Sequence, residues 1–244
     1  MKKIVDLSLT LIEEYPNTWP GQHPYKHVLW KDFPNKDEPY STCHFTMDEH
    51  CATHCDAPAH FIRATDDPDS KLFGDSLDLS LMQGDLKIID VRFLNETAQA
   101  GISPWIEVPL IKEWEAKYGE LEPKDIVVFQ TGWDQYYKKG DLGYLYADGP
   151  IRDKKSAGWP SPSVDTIKYL FDKGIVCLGI DSPSMGAVHQ GAPPHQLGLG
   201  LGMIYIEGLA NLDAVNPTGA SFIFLPLKIA RSTGCPGRAI AYIN

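Results

Sequence analysis

Residues 49–60 are the part of the chain most densely supplied with side chains that can bind a metal ion. Three of the eight histidines, His50, His54 and His60, fall within eleven residues, and Asp56 lies between the last two. Neutral imidazole and carboxylate are the usual protein ligands of zinc, manganese and iron. The spacing therefore indicates a divalent metal site rather than a loop of surface histidines that bind nothing.

The local backbone decides which of these side chains share a face. In an α-helix, His50 and His54 would lie on one side, but His54 and Asp56 would not. In an extended chain, positions 50, 54, 56 and 60 have the same parity and point the same way. Pro58 lacks an amide proton and disfavours helix at the residue before it. We therefore predict an extended or irregular segment that presents His50, His54 and Asp56 to one cation, with His60 beyond a turn.

Two other chemistries for this segment are disfavoured. In the helical zinc-protease motif a Glu directly follows the first His, whereas Glu49 precedes His50. Cys51 and Cys55 have the opposite parity to the histidines and lack a second cysteine pair. Packing as small apolar residues is therefore the preferred interpretation for both, over a thiolate site.

Short runs rich in β-branched residues recur along the chain and predict strands. The run Ile175–Ile180 is apolar throughout, so it should be buried on both faces. Asp181 follows it directly, a common place for site residues in α/β sheets, although Asp181 can equally cap the next turn. The predicted strands are Lys3–Leu9, Lys87–Arg92, Asp125–Gln130, Ile175–Ile180, Met203–Ile206, Phe222–Leu225 and Arg238–Ile243.

Two helices are predicted from apolar stripes with suitable ends. One begins at Pro109 and stops at Gly119; the other is capped by Ser161 or Ser163 and ends at Gly174. The expected fold class is therefore α/β, a single strand-rich mixed-sheet domain with few helices that spans residues 1–244.

Composition and charge limit the partners. The 244 residues carry 22 Lys plus Arg against 32 Asp plus Glu, a formal net charge of −10. Such an acidic chain repels phosphate backbones, so nucleic acid and anionic membranes are not expected partners. No apolar run approaches the ~20 residues of a membrane span, and the start lacks the apolar stretch of a secretory signal. The five scattered cysteines do not indicate a disulfide framework, so we expect a reducing compartment, the cytoplasm.

The segment His50–His60 resembles the H-x-G-T-H-x-D-x-P-x-H motif of the cyclase family of metal-dependent hydrolases, which includes bacterial kynurenine formamidases and isatin hydrolases. Further matches follow in order and cover most of the chain, which makes the resemblance more specific than one motif. They are Asp6-Leu7-Ser8, Trp19-Pro20-Gly21, Thr131-Gly132-Trp133, Gly179–Ser184, His195 with Glu207 twelve residues later, Leu225–Lys228 and Gly234–Ala239.

The resemblance implies a cyclase-like fold of the swivelling β/β/α type and hydrolysis of a C–N bond. The implied substrate is a small molecule: an aryl formamide, amide or cyclic amide such as N-formylkynurenine or isatin. The implied cofactor is one or two divalent ions, Zn²⁺ or Mn²⁺. The implied assembly is a homodimer or a homotetramer.

The resemblance also implies metal ligands. His50, His54 and Asp56 would hold the metal, and Asp56 would bridge to a second ion held with His195 and Glu207 where two ions bind. With a single ion, His195 and Glu207 would instead orient water.

Two further roles come from the same resemblance. His60 resembles the proton donor and acceptor, a role for which an unperturbed imidazole pKa of ~6.5 is suitable; its spacing fits a fourth metal ligand almost as well. Trp19 resembles a substrate-contacting tryptophan. It could equally be a core aromatic residue, as could Trp133, Tyr136 and Tyr137, and an aromatic wall would suit a planar aryl substrate.

Two departures from the family pattern bear on the substrate. Ala52 occupies the position of the motif's Gly. If that position needs a positive φ, Ala is strained there; if it does not, the added methyl narrows the site. Gln22 stands where an acidic residue commonly follows Trp-Pro-Gly.

Three other functions would use the same side chains. They are a lactone or ester hydrolase, a non-catalytic metal-binding or sensor protein, and a redox enzyme with a His₂-carboxylate iron site.

Overall fold

The computed structural model describes residues 3–32, 39–63 and 72–243. Within these residues the chain forms twelve strands and four α-helices, joined by loops and single turns of 3₁₀ or π helix. The strands are β1 (Lys3–Asp6), β2 (Lys26–Lys31), β3 (Thr42–Thr46), β4 (His54–Asp56), β5 (Gln83–Asp90), β6 (Trp105–Ile106), β7 (Ile126–Gln130), β8 (Ser161–Pro162), β9 (Cys177–Ile180), β10 (Ile204–Glu207), β11 (Ala220–Pro226) and β12 (Gly234–Ile243). The helices are α1 (Val108–Tyr118), α2 (Asp141–Tyr146), α3 (Val164–Asp172) and α4 (Ala192–Gly200).

Seven strands close into a barrel-like ring in the order β4, β12, β11, β5, β7, β9 and β10, and β10 pairs again with β4. The stretch from β5 to β10 is parallel, whereas β4, β11 and β12 pair with their neighbours in antiparallel fashion. Every predicted strand overlaps an observed one. The mixed α/β, strand-rich class with few helices is confirmed. The pairings define a closed ring and do not single out the swivelling β/β/α type, which stays a prediction.

Two apolar clusters occupy the two sides of the ring. Successive side chains of a strand alternate between the faces, so on β7 Ile126 and Val128 belong to the cluster that contains residues of all seven ring strands and fills the barrel. Val127 and Phe129 belong to the second cluster, which the ring shares with α1, α3 and α4. The strand β9 contributes to both clusters, so both of its faces are buried as predicted.

The two predicted helices are confirmed as α1 and α3. Gly119 ends α1 with a φ of 105°, a conformation that favours glycine. Ser163 caps α3, since its Oγ accepts a hydrogen bond from the Thr166 N–H at 3.2 Å. Within the part of the chain that the structure describes, no helix combines the length and the apolar content that a membrane crossing requires.

Sequence periodicity does not predict α4, the helix that carries His195. The C-terminal end of α4 is glycine-rich and reads as a loop, but Gly198 is needed for packing. A Cβ at Gly198 would lie 1.7 Å from the hydroxyl oxygen of Tyr205, so only glycine lets this helix lie against β10. The Tyr205 hydroxyl in turn donates to the Pro194 carbonyl at 2.8 Å. These contacts place His195 over the end of the ring where β4 and β10 meet.

Candidate active site

A cavity of about 370 Å³ is lined by side chains from β4, β10, α4 and the 3₁₀ turn Pro58–His60. The seven residues predicted for the site converge there. Six of them line the cavity, and the seventh, Asp56, is 1% exposed and lies within hydrogen-bonding or ion-pair distance of three of the others. The six are Trp19, His50, His54, His60, His195 and Glu207.

The strand β4 positions two of the ligand-type side chains by simple alternation. His54 and Asp56 point to the cavity side, while Cys55 between them packs inside the barrel. His54 lies directly opposite Glu207 of β10 in the antiparallel register, with its Nε2 3.6 Å from the Glu207 Oε2. The prediction that His54 and Asp56 point to one side of an extended segment, and Cys55 to the other, is therefore right. His60 lies on a 3₁₀ turn, so parity is not what brings it to the cavity.

His50 reaches the site from the turn before β4. Its Nδ1 lies 2.9 Å from the Asp56 Oδ1. This close approach depends on Gly234, which faces Asp56 in the β4–β12 register. A Cβ at Gly234 would lie 2.6 Å from the Cε1 of His50, so any larger residue would displace the ring.

Ala52 adopts the left-handed backbone conformation, with a φ of 52°. Of the two consequences predicted for Ala in place of the motif's Gly, backbone strain is therefore the one that applies. The strain is roughly 1 kcal/mol, which Gly would avoid. The turn directs the Ala52 carbonyl to accept a hydrogen bond from the His54 Nδ1–H at 3.0 Å. The Ala52 N–H donates to the Thr18 Oγ1 at 2.9 Å, which anchors the turn to the wall of the cavity. This strained turn thus orients His54 with its Nε2 free for a ligand.

His195 and Glu207 form the opposite side of the site. The His195 Nδ1–H donates to the Gly191 carbonyl at 2.8 Å, and the Nε2 lies 3.1 Å from the Glu207 Oε1 and 3.5 Å from the Asp56 Oδ2. The Met185 N–H donates to the Glu207 Oε1 at 2.6 Å and fixes the carboxylate. The fold therefore assembles this pair from a helix and a strand that are distant from residues 50–60 in sequence.

His60 lies over these groups and is exposed to the cavity. Its ring centroid is 3.9 Å from that of His50 and 6.3 Å from that of His195. Burial against the cavity wall, together with the neighbouring imidazole of His50, lowers the pKa of His60 despite the nearby Asp56 carboxylate. His60 is therefore neutral at neutral pH and able to accept a proton.

The ionisation of the buried groups follows from their mutual contacts. Burial lowers the pKa of His54, which favours the neutral imidazole that metals bind. Burial also opposes the charged form of His50, but the Asp56 carboxylate outweighs it and raises the pKa of His50. Although burial acts to raise the pKa of Asp56, its hydrogen bond with His50 and the surrounding imidazoles lower it overall. Asp56 is thus a buried carboxylate at neutral pH.

The donor set fits a divalent metal. Two groups of side chains have ligand atoms within 4.8 Å of one another: His50, Asp56 and His60 in one, and His54, Asp56 and Glu207 in the other. The Oδ2 of Asp56 is buried and makes no hydrogen bond in the described part of the chain, an unfavourable state that a cation would relieve. Both groups contain Asp56, and the sharing of one cation by His50, His54 and Asp56 stays a prediction.

Three aromatic residues considered for a substrate wall do not line the cavity: Trp133, Tyr136 and Tyr137 belong with Trp159 to an apolar cluster against which Trp19 packs. Trp19 does line the cavity. So does Phe61, which sequence reasoning did not single out although it directly follows His60. Its ring stacks on His195 with the centroids 4.6 Å apart.

Asp181 supports the turn after β7 and is not part of the cavity lining. Its carboxylate accepts hydrogen bonds from the N–H groups of Thr131 and Gly132, each at 2.8 Å, and from the Thr131 hydroxyl. Burial raises the pKa of Asp181 to about 7. The sequence predicted a site residue or a cap of the turn that follows Asp181, whereas its carboxylate contacts the turn after β7, fifty residues earlier.

An imidazole–carboxylate centre beneath a small cavity, in a strand-rich α/β fold, is typical of hydrolases that use a metal ion. The chain belongs to the Cyclase family, whose family model ("Putative cyclase") matches residues 5–187. The match includes Trp19 and the whole of residues 50–60. His195 and Glu207 lie beyond it, so their place in the site depends on the fold.

Individual relatives agree with the family match. The isatin hydrolase of Roseibium aggregatum is 36% identical over 205 residues, which are 81% of this chain and 73% of that protein. The kynurenine formamidase of Erythrobacter litoralis is 27% identical over 241 residues, 98% of this chain and 93% of that protein. The crystal structure of an isatin hydrolase bound to the product analogue thioisatinate superposes with a TM-score of 0.85 at 28% identity, covering 99% of this chain and 92% of that one.

Proposed function

We propose that this chain hydrolyses the C–N bond of an aryl formamide, amide or cyclic amide, with a divalent metal held around Asp56. The predicted class, a hydrolase of non-peptide C–N bonds, is confirmed by the relatives named isatin hydrolase and kynurenine formamidase. The observation that carries the proposal is the convergence of the predicted side chains on one cavity above a buried carboxylate. N-formylkynurenine and isatin are the leading substrates.

The proposed metal ligands are His50, His54, Asp56, His195 and Glu207, and the proposed ions are Zn²⁺ or Mn²⁺, one or two in number. A divalent ion held by such ligands lowers the pKa of water toward neutrality and stabilises negative charge that develops on a carbonyl oxygen. The carbonyls of Ala52 and Gly191 fix the rings of His54 and His195 in the orientation that this role requires.

His60 is the proposed catalytic residue for proton transfer. In amide hydrolysis, the oxygen of a water molecule forms a bond to the carbonyl carbon, the C–N bond breaks, and one water proton must reach the leaving nitrogen. His60 is exposed to the cavity, and its lowered pKa leaves it neutral, so it can accept that proton and then deliver it. A general acid–base group of this kind contributes roughly 10²–10⁴-fold to the rate.

The cavity favours a small, neutral aryl substrate. Trp19 and Phe61 supply flat apolar surface, and Glu207 is the carboxylate among the described lining residues. The Oε1 of Gln22 accepts the Trp19 N–H at 2.9 Å, so this side chain stabilises the wall without adding a charge. At this position Gln22 presents a neutral amide where the family commonly has a carboxylate, so the ammonium group of a substrate such as N-formylkynurenine would lack an ion-pair partner here. This contrast favours isatin-like cyclic amides over amino-acid substrates.

Elemental analysis of the purified protein, combined with turnover of N-formylkynurenine, isatin and an aryl lactone, tests the proposal. We expect one or two divalent ions per chain and hydrolysis of an amide faster than of the lactone. Faster lactone hydrolysis would favour the esterase alternative. Metal-replete protein that turns over none of the three would favour a metal-binding or sensor role, and oxygen consumption by the ferrous protein would favour the redox alternative.

The remaining expectations are proposals of the same kind. We propose one cyclase-like domain over residues 1–244, of the swivelling type, assembled as a homodimer or homotetramer and acting on a small molecule without nucleic-acid or membrane partners. All five cysteines are free thiols, which supports the reducing environment of the cytoplasm. Light scattering of the purified protein measures the assembly directly.

A further inference from the structure

The tautomer of each histidine in the site decides which ring nitrogen can bind a metal. For His54 and His195 the choice is made by backbone carbonyls, which can only accept hydrogen bonds. Each carbonyl fixes a proton on Nδ1 and leaves Nε2 directed at the Asp56 and Glu207 carboxylates. Among the described residues, His50 makes no such carbonyl contact, and its ring is oriented the other way, with Nδ1 toward Asp56.

The other nitrogen of His50 contacts a hydroxyl. The Nε2 of His50 lies 3.1 Å from the Oγ1 of Thr233, the residue just before β12. That hydroxyl also donates a hydrogen bond to the Oε1 of Glu49, the residue just before His50. The three side chains therefore form a short chain, Glu49–Thr233–His50, that leads to Asp56.

Proton counting fixes the direction of this chain. A threonine hydroxyl carries one proton, and a carboxylate oxygen can only accept. Because Thr233 gives its proton to Glu49, it can only accept from His50, so Nε2 of His50 must carry a proton. The Nδ1 faces the Asp56 Oδ1, 2.9 Å away, and donates the hydrogen bond to that carboxylate in the metal-free chain. A cation shared between the two atoms would take the place of this proton.

We propose that Glu49, acting through Thr233, is a positioning residue that fixes the His50 tautomer and so presents its Nδ1 to the metal. Neither residue was a candidate for the site in the sequence, and neither lines the cavity. The inference rests on the proposed function, because it takes the metal centre around Asp56 as its starting point. It adds a second contact beyond the ligands themselves, of the kind whose loss typically weakens metal affinity 10–100-fold.

Metal affinity of the apoprotein tests the proposal without using activity. Glu49→Gln keeps the shape of the side chain but adds an amide N–H that can donate a hydrogen bond to the Thr233 hydroxyl. Thr233→Val removes that hydroxyl at constant size. Each should weaken Mn²⁺ binding by 10–100-fold in competition with a chelator. Thr233→Ser is the matched control, since it keeps the hydroxyl and should bind within about threefold of wild type.

The double variant distinguishes an effect of Glu49 that passes through the Thr233 hydroxyl from a direct effect of the Glu49 charge on the metal. If Glu49 acts through Thr233, then Glu49→Gln added to Thr233→Val should cost less than about threefold more. Losses that multiply in the double variant would show that Glu49 acts by its charge alone and would overturn the proposal. Unchanged affinity in Glu49→Gln would overturn it as well, and this substitution keeps the fold testable if Thr233→Val does not fold.

Nitrogen-15 NMR of the His50 ring gives a readout that does not need a metal. In wild-type apoprotein Nε2 should carry a proton, and in Glu49→Gln a population without a proton on Nε2 should appear. A wild-type ring with no proton on Nε2 would refute the argument. Failure of the wild type to bind any metal would instead refute the proposed function, while the tautomer measurement would still stand.

Discussion

Replacing His54 by Ala should remove most of the stabilisation that metal binding gives to the folded chain. The Nε2 of His54 lies 3.6 Å from both the Asp56 Oδ1 and the Glu207 Oε2, so it is the proposed neutral ligand between two carboxylates. A ligand that binds only the folded state stabilises it by about 2.7 kcal/mol at 100 times its Kd. At about 2 °C per kcal/mol for a chain of 244 residues, wild type should gain about 5 °C in unfolding temperature. A variant that binds a hundredfold more weakly should gain about 1 °C at the same concentration.

The assay is thermal unfolding followed by circular dichroism, with and without Mn²⁺. Each variant is compared with its own metal-free sample, because loss of a buried ring lowers the stability of the apoprotein as well. Mn²⁺ is preferred to Zn²⁺, since zinc also binds the thiols of the unfolded chain. His44→Ala is the matched control, because this exposed histidine lies on β3 outside the cavity. A shift of about 5 °C that persists in His54→Ala would refute the assignment of this ligand.

Four further predictions concern the neighbouring side chains. His60→Ala should keep at least one ion by elemental analysis yet lose roughly 10²–10⁴-fold in kcat; loss of all metal would instead make His60 a ligand. Ala52→Val should lower the free energy of unfolding in urea by about 2 kcal/mol, since a β-branched residue is strained at positive φ, whereas Ala52→Gly should stay within about 1 kcal/mol. Gln22→Glu should shift the ratio of kcat/KM values by roughly tenfold toward substrates that carry an ammonium group; an unchanged ratio would remove Gln22 from the specificity argument. Asp6→Asn should cost under ~1 kcal/mol at pH 7, because the exposed Arg238 bond lowers the pKa of Asp6. That contribution is present above the ordinary pKa of 3.8 and lost as the pH falls through the lower folded value, so wild type and variant should converge in strongly acidic urea titrations.

The contiguous half of the site could be predicted because its geometry is local. Alternation along an extended chain is enough to place His54 and Asp56 on one face and Cys55 on the other, and the structure shows this arrangement. The likeness of residues 50–60 to a family motif then identified the chemistry. Ala52 illustrates the limit of local reasoning. The sequence could not decide whether this position has a positive φ, and the structure shows that it does.

The other half depends on contacts between distant segments. Gly198 reads as part of a loop and lies in a helix, because the hydroxyl of Tyr205 fills the space that a side chain would take. His195 is therefore positioned by packing that no pattern within α4 reveals. Thr233 reaches His50 only because β12 pairs with β4, which brings together residues 183 positions apart in the sequence. Such residues carry no sequence signal of their own and become visible once the topology is known.

The closure of the ring and the metal centre depend on the same three residues. The strand β4 is only three residues long, yet it completes the ring by pairing with β10 on one side and β12 on the other. Closure brings the Asp56 carboxylate into a buried position beside that of Glu207, and two buried like charges oppose it unless cations or protonated imidazoles compensate. A divalent ion held by the proposed ligands His54 and Glu207, which face each other in the register, would remove that opposition and tie β4 to β10. Metal binding would then be coupled to the closing of the ring, and for this reason the unfolding temperature is expected to report occupancy of the site as directly as catalysis does.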